Sequence, residues 1–155
     1  MMDANIVNSF IEATLNTLET SASTKAERGK SYLKKTADAT GPITGILKMS
    51  GDYNATISIT FSKNGILSIV SKLFGETMSD LNDEIKDAVG EISNMISGQA
   101  TNTLAQSGGK YKVSLQTVIL EEKHKIPHIG KLQPVALPFK TEDGEFTLEI
   151  SFEQL

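Results

Sequence analysis

The sequence contains no cysteine and only two histidines in 155 residues. Without cysteine there can be no disulfides, thiolate metal sites or thiol nucleophiles, and the absence fits a reducing compartment. The first 25 residues show no basic segment followed by a continuous apolar stretch, and no apolar run reaches the roughly 18 residues of a membrane span. We therefore expect a soluble, cytoplasmic protein.

An excess of positive charge is also absent. Fifteen basic residues against nineteen acidic residues give a net charge of −4, with a pI near 5.2. Proteins that bind nucleic acid usually present a basic surface, so we expect no nucleic-acid partner. The composition, 39% hydrophobic and 22% charged, is that of a globular protein without low-complexity segments. The length predicts one domain spanning residues 1–155.

Apolar residues recur at helical spacing in three segments, and signals for helix ends flank two of them. Gly75 is expected to end the second helix, and Ser107-Gly108-Gly109 the third. Thr77, Ser79 and Asp80 are the candidate N-caps of the third helix. The predicted helices are Asp3–Thr20, Asn64–Phe74 and Leu81–Gln106.

Alternation of apolar and polar residues predicts five strands and a short extended piece. The first two strands and the last two are each expected to form a hairpin, with one face packed and the other exposed to solvent. The predicted fold class is α+β, with long helices packed on an antiparallel or mixed sheet. The order of elements also suggests an approximate internal duplication. The strands are Ile43–Met49, Thr56–Phe61, Tyr111–Leu120, Gln133–Phe139 and Glu145–Phe152, with the short piece at Tyr32 and Leu33 after a loop over Ser21–Lys30.

Several familiar catalytic patterns fail. Gly29-Lys30-Ser31 is not a phosphate-binding loop, because Thr24 stands where the first glycine is required. His124 and His128 have a spacing that binds zinc on a helix, but Pro127 between them disfavours a helix. We therefore predict no metal site and assign both histidines to a surface loop. A G-x-S-x-G nucleophile motif is also absent.

The longest predicted helix has two contrasting faces. At about 100° per residue, its apolar side chains fall within about 60° of Ile92. Asp87, Glu91, Asn94 and Gly98 fall on the far side, where spacings of four, three and four residues place them in one narrow row. We call these four residues the outward stripe. The apolar face comprises Leu81, Ile85, Ala88, Val89, Ile92, Met95 and Ile96.

The outward stripe has an unusual composition for a structural helix. Glycine costs about 1 kcal/mol relative to alanine in a helix interior, yet Gly90 and Gly98 are both predicted on the outward side, where another surface can approach. A solvated face with a few tolerated small residues is the alternative interpretation. Asp87 and Glu91 lie side by side on one helix, which does not suit a hydrolase with two converging carboxylates. An amide such as Asn94 is a poor base but can orient water, and that suffices for phosphoryl transfer.

The pattern Asp87-x3-Glu91-x2-Asn94-x3-Gly98 resembles the signature (D/S)-x3-E-x2-N-x3-G of the CheC/CheX/FliY family of bacterial chemotaxis phosphatases. The order of elements is also similar over nearly the whole chain, which implies a CheC-like fold. Relatives of the CheC branch carry a second signature on the N-terminal helix, but here Leu15 stands three residues after Glu12. One active helix per chain is most similar to the CheX branch.

The resemblance implies dephosphorylation of the response regulator CheY, whose aspartate carries an acyl phosphate. By analogy, Asn94 would hold a water in line with the phosphorus and Glu91 would pair with the receiver's lysine. Asp87 and Gly98 would serve docking. Mg2+ would be held by the partner, so this chain needs no cofactor, and a homodimer joined through its sheets is expected. The alternative is a noncatalytic binding module that docks on a receiver domain or a flagellar-motor protein.

Overall fold

Three helices and a seven-stranded sheet share one hydrophobic core in the computed structural model, which describes residues 4–153. Asp3, predicted in the first helix, lies outside the described residues. None of the described helices is long and apolar enough to cross a membrane. The helices are α1 (Ala4–Ala22), α2 (Lys63–Phe74) and α3 (Asp83–Gln106), and the strands are β1 (Glu27–Arg28), β2 (Tyr32–Leu33), β3 (Ile43–Gly51), β4 (Ala55–Phe61), β5 (Tyr111–Leu120), β6 (Val135–Lys140) and β7 (Glu145–Phe152).

Every strand pairing in the described chain is antiparallel, and the order across the sheet is β1-β6-β7-β4-β3-β5. β2 also pairs with β6, so two short strands cover one sheet edge while β5 forms the other. Both predicted hairpins, β3 with β4 and β6 with β7, are confirmed. The α+β class is therefore confirmed, and β1 is a short strand inside the segment predicted as a loop.

The predicted N-caps of α3 are wrong. The side chain of Asn82 caps this helix by accepting a hydrogen bond from the Ile85 amide at 3.1 Å. The segment before the helix is bonded to the end of α2, where the Glu76 amide donates to the Ser71 carbonyl at 3.2 Å and the Met78 amide donates to Ser71 Oγ at 2.9 Å. Leu81 therefore precedes the helix. The predicted end is confirmed, since the Gly109 amide donates to the Leu104 carbonyl at 2.9 Å.

The main core lies between the helices and one face of the sheet, which we call the inner face. Apolar residues at alternate positions of β3, β4, β6 and β7 meet the apolar sides of α1, α2 and α3 there. α1 and α3 lie side by side, joined by hydrogen bonds of Gln99 to Asn16 at 2.6 Å and to Thr17 at 3.0 Å. The largest fully buried side chains of this core are Phe10, Phe61, Phe139 and Phe146.

Close contact between α3 and β3 fixes the depth at which the helix sits. Gly45 of β3 faces Ser93 of α3, and a Cβ on Gly45 would overlap the Ser93 hydroxyl. That hydroxyl is fully buried and donates to the Val89 carbonyl at 2.7 Å, so it has little freedom to move aside. The helix can approach the strand this closely only because position 45 carries no side chain.

The opposite, outer face of the sheet is covered as well, which corrects the prediction that β4 and β7 each have one solvent-exposed face. All seven residues of β4 are buried, as are six of the eight in β7. An irregular segment, residues 121–134, lies over this face. It is attached through hydrogen bonds between His124 and Thr44 at 2.7 Å and between His128 and Thr56 at 2.7 Å, and the Gly130 amide donates to a serine of β7 at 2.9 Å.

A buried ionic group stands at the centre of the covered outer face. Glu149 is fully buried, and its carboxylate lies 3.2 Å from Lys34 Nζ and 3.2 Å from His128 Nε2. The side chains of Lys34 and His128 are 7% and 8% exposed, so both partners are buried too. His124 and His128 therefore belong to the packing of the outer face, and the prediction of a surface loop is wrong for His128.

We predict that Gly45→Ala destabilises the protein by about 1–3 kcal/mol, because the new methyl group overlaps the Ser93 hydroxyl. Denaturant unfolding measures the loss. Ser93→Ala in the same chain removes the overlapping oxygen, so the double variant should recover most of the stability lost. Additive losses in the two single variants would show that this contact does not set the helix position.

The buried and exposed ion pairs should respond very differently to truncation. Glu149→Ala leaves Lys34 buried without a counter-charge, and we expect a loss of about 3–5 kcal/mol in the free energy of unfolding. Asp38→Ala is the matched control, because its pair with Lys125 is 67–78% exposed and should contribute no more than about 1 kcal/mol. Equal losses in the two variants would contradict the assigned role of Glu149.

Candidate functional site

The outward stripe is exposed along its whole length. Asp87, Glu91, Asn94 and Gly98 are all solvent-accessible, whereas the residues on the opposite side of α3 are buried. α1 flanks the helix on one side and β5 on the other, and the stripe lies between these two contacts. The predicted division of α3 into a packed face and an outward face is therefore observed.

The side chains of Glu91 and Asn94 contact the rest of the described chain through no polar group. Within residues 4–153 neither side chain makes a hydrogen bond or an ion pair, and only the main-chain carbonyl of Asn94 is engaged, by Ser97 Oγ at 3.0 Å. Residues three apart on a helix have Cβ atoms about 5–6 Å apart, so both side chains can enter one site on a partner. A carboxylate and an amide are thus presented together on the exposed face of the helix, where a partner can contact both.

The predicted outward position of Gly90 is wrong. It was expected to face outward with Gly98, but it is buried against β5. A Cβ at Gly90 would lie 3.4 Å from Leu115 Cδ2 and 3.7 Å from Val118 Cγ2, whereas a Cβ at Gly98 would meet nothing within 4 Å. Helical periodicity could not anticipate this difference, because it does not say which strand lies along the flank of the helix.

A hollow of about 430 Å³ opens between the stripe and the edge strand. A β-bulge shapes its strand side: Leu115 pairs with β3 and so does Thr117, which leaves Gln116 as an extra residue. The bulge turns both Leu115 and Val118 towards Gly90. The hollow is lined by Lys86, Asp87, Gly90, Glu91, Asn94, Leu115, Thr117 and Val118.

No metal site is found in the described part of the chain, because nowhere in it do three acidic or histidine side chains lie close enough together to bind one ion. His124 and His128 each use both ring nitrogens in hydrogen bonds, to Thr44 and the Glu121 carbonyl for the first and to Thr56 and Glu149 for the second. Metal ligation by either ring would require one of these bonds to break.

Comparisons with known proteins show the family and the fold to which the chain is similar. The family model described as chemotaxis phosphatase CheX matches residues 43–140. A CheC-like superfamily protein from Shewanella sp. PV-4 is 34% identical with a TM-score of 0.90, and the match covers 99% of this chain and all of that one. The expected CheC-like fold is therefore confirmed.

Two further relatives are more distant in sequence. The CheY-P phosphatase CheX of Thermotoga maritima is 24% identical over 151 residues, which is 97% of each chain. A CheX-CheY-BeF3-Mg2+ complex from Borrelia burgdorferi contains a chain that is 23% identical with a TM-score of 0.79, and the match covers 96% of this chain and 97% of that one. At 23% identity, the likeness to the Borrelia chain shows a shared fold and no more.

Proposed function

The chain belongs to the CheX family of chemotaxis phosphatases, and on that premise we propose that it hydrolyses the aspartyl phosphate of a CheY-type response regulator. The main support is the outward stripe, which presents Glu91 and Asn94 together, exposed and with no side-chain partner among residues 4–153. The activity named for the Thermotoga relative and the CheY-containing Borrelia complex support the same partner class.

In the proposed reaction Asn94 orients the attacking water. Its side-chain oxygen accepts a hydrogen bond from the water, which then lies in line with the bond to be broken. Water attacks phosphorus, the bond between phosphorus and the aspartate oxygen breaks, and the products are a free aspartate carboxylate and inorganic phosphate. Asn94 neither gains nor loses a proton, so its contribution is positioning.

Glu91 is proposed to orient the partner on the helix through an ion pair. Its carboxylate is exposed in the free protein and would pair with the lysine ammonium of the receiver active site. Docking excludes water around this pair, which strengthens it relative to a surface ion pair. Asp87 and Gly98, one turn before and after, extend the same contact, Asp87 through its charge and Gly98 through its lack of a side chain.

Mg2+ in this proposal is held by the receiver domain. Mg2+ prefers oxygen ligands and would neutralise charge on the transferred phosphoryl group. A homodimer joined through its sheets remains a prediction, with β5 at one sheet edge and β6 with its short partner strands at the other. Light scattering of the purified chain measures the stoichiometry directly.

We predict that Asn94→Ala and Glu91→Ala fail in different ways. Asn94→Ala should lower kcat about 100-fold, because the water is no longer positioned, while affinity for CheY changes little. Glu91→Ala should lower kcat and raise Kd about tenfold or more, because the receiver lysine loses its counter-charge. Phosphate release from phosphorylated CheY gives kcat, and titration with the beryllofluoride form, a stable mimic of the phosphoryl group, gives Kd.

Asn102→Ala is the matched control, an exposed asparagine on the same helix two turns beyond Asn94. It should leave kcat and Kd within about twofold of wild type. Full turnover by Asn94→Ala would refute the proposed role of this residue. Tight binding without acceleration by the wild-type chain would instead support the noncatalytic binding module.

A substitution at Gly98 should weaken binding of the partner without destabilising the fold. Gly98→Leu places a bulky side chain in open space, and replacing glycine with a good helix former should stabilise the fold by up to about 1 kcal/mol. The same side chain should obstruct the partner and raise Kd for the beryllofluoride form of CheY at least tenfold. Unchanged affinity in the folded variant would remove Gly98 from the proposed interface.

A further inference from the structure

We infer that a water molecule is bound inside the protein between Ser58 and Glu149, on the outer face of the sheet. Both side chains are fully buried, and within residues 4–153 neither Ser58 Oγ nor Glu149 Oε2 makes a hydrogen bond. Leaving a buried polar atom without a partner destabilises the folded state, and most such atoms in proteins are bonded to protein groups or to ordered water. The inference is independent of the proposed function.

The two oxygen atoms belong to residues that lie directly opposite each other in the sheet. Ser58 of β4 pairs with Glu149 of β7 in the antiparallel register, so their side chains share one face and their Cβ atoms are about 4.5–5.5 Å apart. A water bonded to two oxygen atoms at about 2.8 Å each spans up to about 5.6 Å between them. One water molecule can therefore reach both atoms.

The neighbouring side chains are poorly suited to satisfy these atoms. Ser58 is flanked across the sheet by Ile46 of β3, and Glu149 by Ala136 of β6, and neither of these side chains carries a polar atom. The other serine and threonine hydroxyls along this face of β3, β4 and β7 already have partners, so they compete poorly with water for Ser58. These bonded hydroxyls belong to Thr44, Thr56, Thr60, Thr147 and Ser151.

The charges around the site favour a neutral ligand. Lys34 Nζ lies 3.2 Å from Glu149 Oε2, a contact that compensates the charge of this oxygen without the geometry of a hydrogen bond. A cation bound at Oε2 would lie beside this ammonium group, and an anion would meet the carboxylate itself. Water is neutral, can donate to Oε2 and can share a second hydrogen bond with Ser58 Oγ.

The bound water completes a buried ionic group that joins three parts of the chain. Glu149 of β7 contacts Lys34, which directly follows β2, and His128 of the segment 121–134. A carboxylate remains ionised in a protein interior when its oxygen atoms are both paired and hydrogen-bonded. The water supplies the hydrogen bond to Oε2, and it thereby stabilises the charge that holds Lys34 and His128 on the outer face.

A high-resolution crystal structure of the wild-type chain tests the site directly. We expect one electron-density peak within about 3.2 Å of both Ser58 Oγ and Glu149 Oε2. Ser58→Ala should remove this peak, because a buried water needs at least two polar partners. Ser151→Ala is the matched control on the same face, and it should retain the peak because the Ser151 hydroxyl bonds the Gly130 amide instead. A direct hydrogen bond between Ser58 and Glu149, or no peak between them, would overturn the inference.

Denaturant unfolding tests the site in solution through the sign of the change in stability. If water bridges the two residues, Ser58→Ala takes away one of its partners and should lower the equilibrium constant for folding about tenfold. If the Ser58 hydroxyl has no partner, its removal should raise that constant, because an unpaired polar group is no longer buried. An unchanged or larger constant in Ser58→Ala would therefore also count against the bound water.

Discussion

Close packing of α3 on β3 sets the position of the helix that carries the outward stripe. Gly45 lets the helix sink until Ser93 meets the strand, and this depth brings the flank of the helix against β5. With α1 on the other flank, only one side of α3 remains accessible, and that side carries Glu91 and Asn94. The fold therefore presents the two side chains on a rigid helix, which suits a site that acts by positioning.

The two faces of the sheet serve different purposes. The inner face is apolar and carries the helices, and with them the candidate site. The outer face is hydroxyl-rich and is closed by residues 121–134, with Glu149 paired to Lys34 and His128 beneath them. Glu149, Lys34 and His128 are not among the residues that line the hollow beside the outward stripe. We therefore assign the outer network to the stability of the fold, and the stripe remains the surface proposed to contact the partner.

Periodicity predicted the parts that depend on a single element. A 3.6-residue repeat placed Glu91 and Asn94 on one exposed face of α3, and alternation located the strands within a few residues. The parts that depend on tertiary neighbours were missed. Serine and threonine at alternate positions of β4 give the same sequence pattern whether water or a polar segment covers them. Helical periodicity places Gly90 on the outward side, and only the position of β5 shows that it is buried. The separate roles of Glu91 and Asn94 came from the family resemblance and remain proposals.

We propose that the outward stripe acts on its partner catalytically and does not merely hold it. The most direct measurement follows phosphate release from a tenfold or larger excess of phosphorylated CheY over this chain, with Mg2+ present. We expect each chain to dephosphorylate many CheY molecules, so that release continues well beyond one phosphate per chain and is faster than spontaneous loss. Release at the spontaneous rate, or a halt after one phosphate per chain, would contradict it.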